Sequence, residues 1–380
     1  MKASIKGFPK HFFRIIITVP AIGLYILSLL GWYVSPAYWP LPSLFSPGFV
    51  WAWFFLWVLL AWWVKKQKLV ALVYIVLILA GLPPMLSSFS LGISRRFPVK
   101  KEAIALRVMQ WNCMGLPGTD KFFPRSHPTR KAIANFINRY QPDIICLEDF
   151  ADIRHHLINS NRDFLRDTLG YHWENLAPSA TELRKYGFIT YSTAIYSKRP
   201  LLNAGLVYYS GSPFPEAIVW VDVALEGKPV RVVATHFASM HFSSQTLFRH
   251  QRMPYMLKPD SAIIMNRNIL AKMQYFQGRH VQQAQLLRRF LDTCAIPVVL
   301  AGDLNTVPAN YLYRQVKGNL QDGFMGSTTG MGNTYNYLAP NLRIDYLFND
   351  KRLKPSAFHH YEDGFVDHDH LLDDYQWRNP

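Results

Sequence analysis

The chain has 380 residues, half of them hydrophobic and 15% aromatic, with a formal net charge of +16. That length fits two or three domains, or one large domain with an appendage, and the apolar content supplies a sizeable core. The first 101 residues carry no Asp or Glu and eleven Lys or Arg, leaving 30 basic against 25 acidic residues, or +5, in 102–380; this argues against a broadly basic nucleic-acid surface. Cys113, Cys146 and Cys294, an odd number without short regular spacing, exclude a disulfide framework and a zinc site.

The N-terminal third reads as membrane. No charge interrupts Ile15–Val64 or Leu69–Ser94, and a span needs about 20 mostly apolar residues. Three transmembrane helices are expected near 12–34, 47–64 and 69–91, with Pro36, Pro40, Pro42 and Pro47 separating the first two. Seven of the eleven Trp fall here, several near the proposed ends, as interfacial anchors do. A cleaved signal peptide would carry one apolar core. Lys2, Lys6, Lys10 and Arg14 and the loop "KKQK" at 65–68 place those segments in the cytoplasm. Three spans then put the remainder on the extracytoplasmic side of a bacterial inner or plasma membrane. Arg95, Arg96, Lys100 and Lys101 pull the other way.

After a linker at 96–103, short apolar runs alternate with turn residues. Strands are expected at 106–112, 143–149, 193–198, 217–225, 230–236, 297–303 and 343–348. "TRKAIANFINRY" and "HVQQAQLLRRFL" show helical periodicity, and "EGKPV" reads as a hairpin turn. Runs of strands with few helices favour sheet packed on sheet with helices outside.

Polar residues stand at the strand ends. The first strand finishes with Asn112, the second with Glu148 and Asp149, the fifth with His236, and the sixth with Asp303 and Asn305. Asp345 lies in "RIDYLF", and Asp367, His368, Asp369 and His370 lie in "VDHDHL". Each alone is a weak signal; a lone His is more often structural. Together, carboxylate and amide oxygens without Cys suit a hard divalent ion. Two His beside carboxylates supply acid and base near neutral pH, so the set describes metal-assisted phosphoester hydrolysis.

The ordered series "WN", "PDIICLED", "YSTAIYSKRP", "ATHF", "AGDLN", "RIDYLF" and "VDHDHL" resembles the endonuclease/exonuclease/phosphatase superfamily, in a membrane-anchored, bacterial-type form. That superfamily includes apurinic endonucleases, pancreatic-type deoxyribonuclease and neutral sphingomyelinases. The resemblance covers about 104–372 and implies a catalytic domain at 104–380, following an anchor at 1–95. It implies a four-layer α/β sandwich, two packed mixed sheets flanked by helices, with the site at one end. It also implies Mg²⁺, with Mn²⁺ as the alternative, held by Asn112, an acid of "LED" and Asp367. Asp303 would orient or deprotonate the attacking water, Asn305 would bind phosphate, and Asp345 would support His368 on the scissile phosphate. His236 and Tyr191 match further family positions.

Two departures bear on these roles. The family's Leu-Gln-Glu is here Leu147-Glu148-Asp149, so strict register puts Asp149 on the metal and Glu148 is the alternative. "VDHDHL" replaces Ser-Asp-His-x-Pro, so Asp369–His370 competes with Asp367–His368, and register favours the latter.

The family fixes the chemistry better than the substrate. The leading expectation is a membrane-tethered phosphodiesterase or phosphatase. A nuclease of the same chemistry is the alternative, and a non-catalytic receptor for phosphorylated ligands is a third reading. Residues 237–289 carry eight bases against Asp260 alone, interleaved with apolar side chains. An insertion at about 238–278 is therefore expected as a helical excursion, or as a basic lip that meets a lipid surface or nucleic-acid bases.

Overall fold

The computed structural model describes residues 10–65, 67–93, 97–116, 130–154, 160–184, 187–211, 215–239, 269–336, 342–361 and 365–378. Lys66, Arg95, Arg96 and most of the expected basic lip, including Arg249, Arg252 and Arg267, lie outside the described residues. Two compact units result: Met1–Phe89 with Val307–Tyr311, and Ser90–Thr306 with Leu312–Pro380.

The first unit is helical. Ile16–Tyr33 and Leu41–Trp63 are long and apolar enough to cross a membrane. The third expected span differs: it is a pair, Lys68–Ala80 and Leu82–Ser88, bent by 48°. The cause lies in Gly81, Pro83 and Pro84. Proline cannot donate a backbone hydrogen bond, so Pro84 leaves the Ala80 carbonyl without its helical donor. The Tyr33 hydroxyl donates to that carbonyl at 3.0 Å, and Tyr25 donates to the Leu77 carbonyl at 2.7 Å. In an apolar surrounding such internal donors are what makes a break tolerable.

The second unit is a mixed α/β sandwich of two six-stranded sheets flanked by helices. One sheet runs β13-β14-β2-β3-β5-β4, formed by Leu353–Tyr361, His370–Trp377, Leu106–Asn112, Ile144–Arg154, Gly187–Ser197 and Trp173–Arg184. The other runs β10-β12-β9-β8-β7-β6, formed by Gln321–Asp322, Asp345–Asn349, Val298–Asp303, Lys228–His236, Ala217–Leu225 and Leu201–Tyr208. A small pair, β1 (Ser90–Leu91) and β11 (Thr329–Gly330), completes the strands. Val108, Ile144, Cys146 and Ile195 of the first sheet meet Val219, Val232, Val299, Ala301 and Leu347 of the second in one buried cluster. β2, β9 and β12 are buried at every residue, and a strand covered on both faces reads as a continuous apolar run.

Each sheet contains one parallel pair, β2–β3 and β8–β9, and parallel strands need a crossover, usually helical. Arg130–Tyr140 lies in the first crossover and Ile269–Asp292 in the second. The latter helix begins inside the range expected as an insertion. The register aligns the polar tips: Asn112 opposite Glu148, His236 opposite Asp303, and Asp345 opposite Asp303.

Candidate active site

Asp303 is the hub of these tips. It is buried, and its Oδ2 accepts from Asn112 Nδ2 at 3.0 Å while its Oδ1 accepts from the Asn305 amide at 2.8 Å. Two imidazoles face it, His236 Nε2 at 3.6 Å and His368 Nδ1 at 3.9 Å. Asp345 Oδ2 accepts from His368 Nδ1 at 3.0 Å. Asp303, Asp345 and His368 form a candidate metal site, with donor atoms all within 4.8 Å of one another.

The charges explain why the group suits a cation. Glu148 is fully buried and lies in one network with Asp345, because Gln110 Nε2 donates to Glu148 Oε2 at 2.9 Å and to Asp345 Oδ1 at 3.0 Å. Among the described residues Glu148 Oε1 meets no hydrogen-bond donor. Burial, then the Asp345 charge, hold the Glu148 carboxyl well above its usual range. The same two causes push Asp303 up to about 6. Burial pulls His368 down, yet Asp345, Asp303 and Asp367 outweigh it and raise the imidazole to about 10. Burial likewise opposes Glu216, Asp149, Asp303 and Glu148 at His236, which still rises to about 9. Three buried carboxylates balanced by two imidazoles, with one carboxylate oxygen orphaned, form a hard-oxygen donor set that a divalent ion fits.

The acids of "LED" part company. A bulge interrupts β3 between Leu147 and Phe150. It turns Asp149, at φ +49° and 40% side-chain exposure, toward His236 Nδ1 at 3.8 Å. Glu148 points inward instead. Asn305 also has a left-handed backbone, φ +48°, a conformation Asn tolerates better than most residues. Its Nδ2 lies 3.4 Å from His236 Nε2 and donates to the Phe237 carbonyl at 2.9 Å. Asp367 has a buried Oδ1 that meets no hydrogen-bond donor among the described residues, and it contributes to the rise of His368. Tyr191 sits on β5 opposite Ala151 and packs with Ala151 and Ile189.

The second Asp-His pair lies elsewhere. His370 is buried among Phe136, Trp111 and Tyr361, with the Phe136 ring centroid at 4.2 Å. Asp369 accepts from Asn336 and pairs with His360 Nε2, each at 2.8 Å.

Three residues joined to this arrangement escaped the sequence reading. Gln110 is a polar residue two positions before Asn112, set between Met109 and Trp111 in a buried strand, and that was a usable signal. Glu216 approaches His236 Nδ1 at 3.6 Å, but it stands just before β7, where an acid looks like an ordinary loop residue. Tyr335 lies over His368 with ring centroids 4.7 Å apart, in a stretch with no strand pattern.

The Endonuclease/Exonuclease/phosphatase family pattern matches residues 109–366. The chain belongs to this family. Among solved structures it is similar to an endonuclease/exonuclease/phosphatase from Beutenbergia cavernae at 19% identity, with 72% of each chain covered and a TM-score of 0.50. It is also similar to the human Nocturnin catalytic domain at 18% identity, covering 74% of this chain and 100% of that one, TM-score 0.49. A mannosyl-6-phosphatase from Bacteroides thetaiotaomicron matches at 15% identity, covering 72% of this chain and 100% of that one, TM-score 0.46. At these identities the first match shows a shared fold and nothing finer. No curated protein matches in sequence. Family membership and the Asp303–Asp345–His368 cluster together support metal-dependent hydrolysis of phosphate esters.

Proposed function

We propose that the protein is a membrane-tethered phosphodiesterase or phosphatase that uses Mg²⁺ or Mn²⁺, with its catalytic domain on the extracytoplasmic side. The observation that carries the chemistry is the convergence of Asp303, Asp345 and His368 beside the buried Glu148. The apolar helices of the first unit support the tether. An anchor ending near residue 90, followed by the catalytic domain, is the organisation that goes with it.

Asp303 and Asp345 would hold the cation through carboxylate oxygens, with Glu148 and Asn112 as further oxygen donors in the same network. A bound divalent ion neutralises charge developing on the phosphoryl oxygens and lowers the pKa of water. His368 has a separate task. Its Nδ1 is engaged by Asp345, and it would serve as a donor to the scissile phosphate. Asp303 orients the attacking water through the oxygen that faces both imidazoles. Asn305, fixed at its amide by Asp303 and at its side chain by Phe237, offers an amide to the phosphate. His236, between Glu216 and Asp149 on one nitrogen and Asp303 on the other, holds a second positive charge there.

The test is a substrate panel on the full-length chain in detergent: a generic phosphodiester, a phosphomonoester, single-stranded DNA and a lysophospholipid, each with Mg²⁺ and then EDTA. Cation-dependent turnover of a non-nucleotide ester supports the reading. Turnover of DNA alone replaces it with a nuclease, and no turnover of any member overturns it.

A further inference from the structure

The long helix Ile269–Asp292 buries more than its apolar stripe. His280 and Gln283 are 1% and 3% exposed, as deeply placed as Phe276 at 2%. Burying such side chains is unfavourable unless they make hydrogen bonds, so their partners disclose what they are for. His280 Nε2 lies 2.6 Å from the Ala238 carbonyl, and the Ala238 amide donates to Gln283 Oε1 at 3.2 Å. A carbonyl only accepts, so His280 Nε2 carries a proton, and burial, which pulls the imidazole down to about 4, keeps the ring neutral.

Ala238 is two residues past His236, where β8 has ended and the ladder no longer supplies partners. The two residues after His236 are divided between the site and the helix. The Phe237 amide donates to the Asp303 carbonyl at 2.9 Å, and the Phe237 carbonyl accepts from Asn305. Both backbone groups of Ala238 go to the helix. Phe237 and Ala238 are themselves buried, so water is a poor substitute for either partner.

We propose that His280, with Gln283, is a positioning residue: it clamps the exit of β8 and thereby fixes His236 and Asn305 against Asp303. This rests on the phosphoesterase reading for its catalytic consequence, but the clamp itself is independent of it. Without the His280 hydrogen bond the 236–238 segment gains freedom, and His236 and Asn305, 3.4 Å apart, lose their fixed separation. Misplacement of a reacting group by about 1 Å can cost on the order of 100-fold in rate.

The experiment compares full-length wild type, His280→Ala and His280→Gln in detergent. Gln places an amide N–H near the position of the imidazole Nε2–H. Turnover of bis(p-nitrophenyl) phosphate with Mn²⁺ and hydrogen–deuterium exchange of the peptide containing Ala238 are both read. His280→Ala should lower kcat by about 10- to 100-fold with KM changed less than threefold, and should speed exchange at Ala238. His280→Gln should restore most of both. Unchanged exchange in a folded His280→Ala overturns the clamp, as does a Gln variant no better than Ala. Absence of turnover in wild type would count against the phosphoesterase reading, while the exchange result would still decide the clamp.

Discussion

Asp303 was legible at the residue scale because it ends an apolar run, and a buried strand has no structural reason to finish in charge; His368 stands before its strand, β14, and was legible through the order of the family motifs. Asp303→Asn and His368→Ala should each lower kcat by about 10²- to 10⁴-fold while thermal unfolding stays close to wild type. His370→Leu should keep kcat within about threefold, since His370 fills an aromatic box and a volume-conserving swap there is tolerated. A dead His370→Leu beside an active His368→Ala would transfer the role to the second pair. Glu216 was not legible, because its importance comes from a tertiary approach to His236. Glu216 is the first of the acids that raise His236 to about 9. Glu216→Gln should therefore lower that pKa, so His236 loses its proton at lower pH. The alkaline limb of the kcat profile should move toward neutral pH, and an unmoved limb would show that His236 charge is not required.

Elements were easier to foresee than their joints. The expected strands at 106–112, 217–225 and 297–303 correspond to β2, β7 and β9, since continuous or alternating apolar runs leave little choice. Missed were β4, Trp173–Arg184, as a whole and the part of β5, Gly187–Ser197, that precedes residue 193, where the sequence carries no apolar period. The bend at Gly81 was also missed, because hydropathy averages over Pro83 and Pro84. Arg107 shows how a charge can sit in a strand buried at every residue. Its guanidinium makes a bidentate pair with Asp374 at 2.6 and 2.7 Å and donates to the carbonyls of Pro98, Val99 and Tyr140. That ties β2, β14 and the segment before β2 together. Arg107→Met should cost about 3–5 kcal/mol in urea unfolding, because it strands a buried Asp374, and adding Asp374→Leu should recover part of it. A single variant as stable as wild type would make the pair dispensable.

For the whole molecule, two helices meet the length of a span and the third is bent, so the number of crossings decides where the catalytic domain faces. Three crossings with a cytoplasmic N-terminus put Pro380 outside. A reporter active only outside the cytoplasm, fused after Pro380, should be active; a cytoplasm-only signal would make the bent pair re-entrant and turn the catalytic unit inward. The chain's order of motifs was enough to foresee the sandwich, because each motif lies on or beside a strand: Asn112, His236 and Asp303 end β2, β8 and β9, while Asp345 and His368 stand at the start of β12 and before β14. What the order of motifs left open was which acid of "LED" turns inward: register favours Asp149, whereas the bulge between Leu147 and Phe150 turns Asp149 outward and buries Glu148.

Central to the proposed reaction is a cation held by Asp303 and Asp345. The direct measurement is turnover of a generic phosphodiester by the full-length chain as free Mg²⁺ or Mn²⁺ is titrated, beside Asp345→Asn. Turnover should vanish in EDTA, return saturably with added cation, and require a higher cation concentration in Asp345→Asn. Turnover that persists in EDTA, or an Asp345→Asn titration identical to wild type, would contradict it.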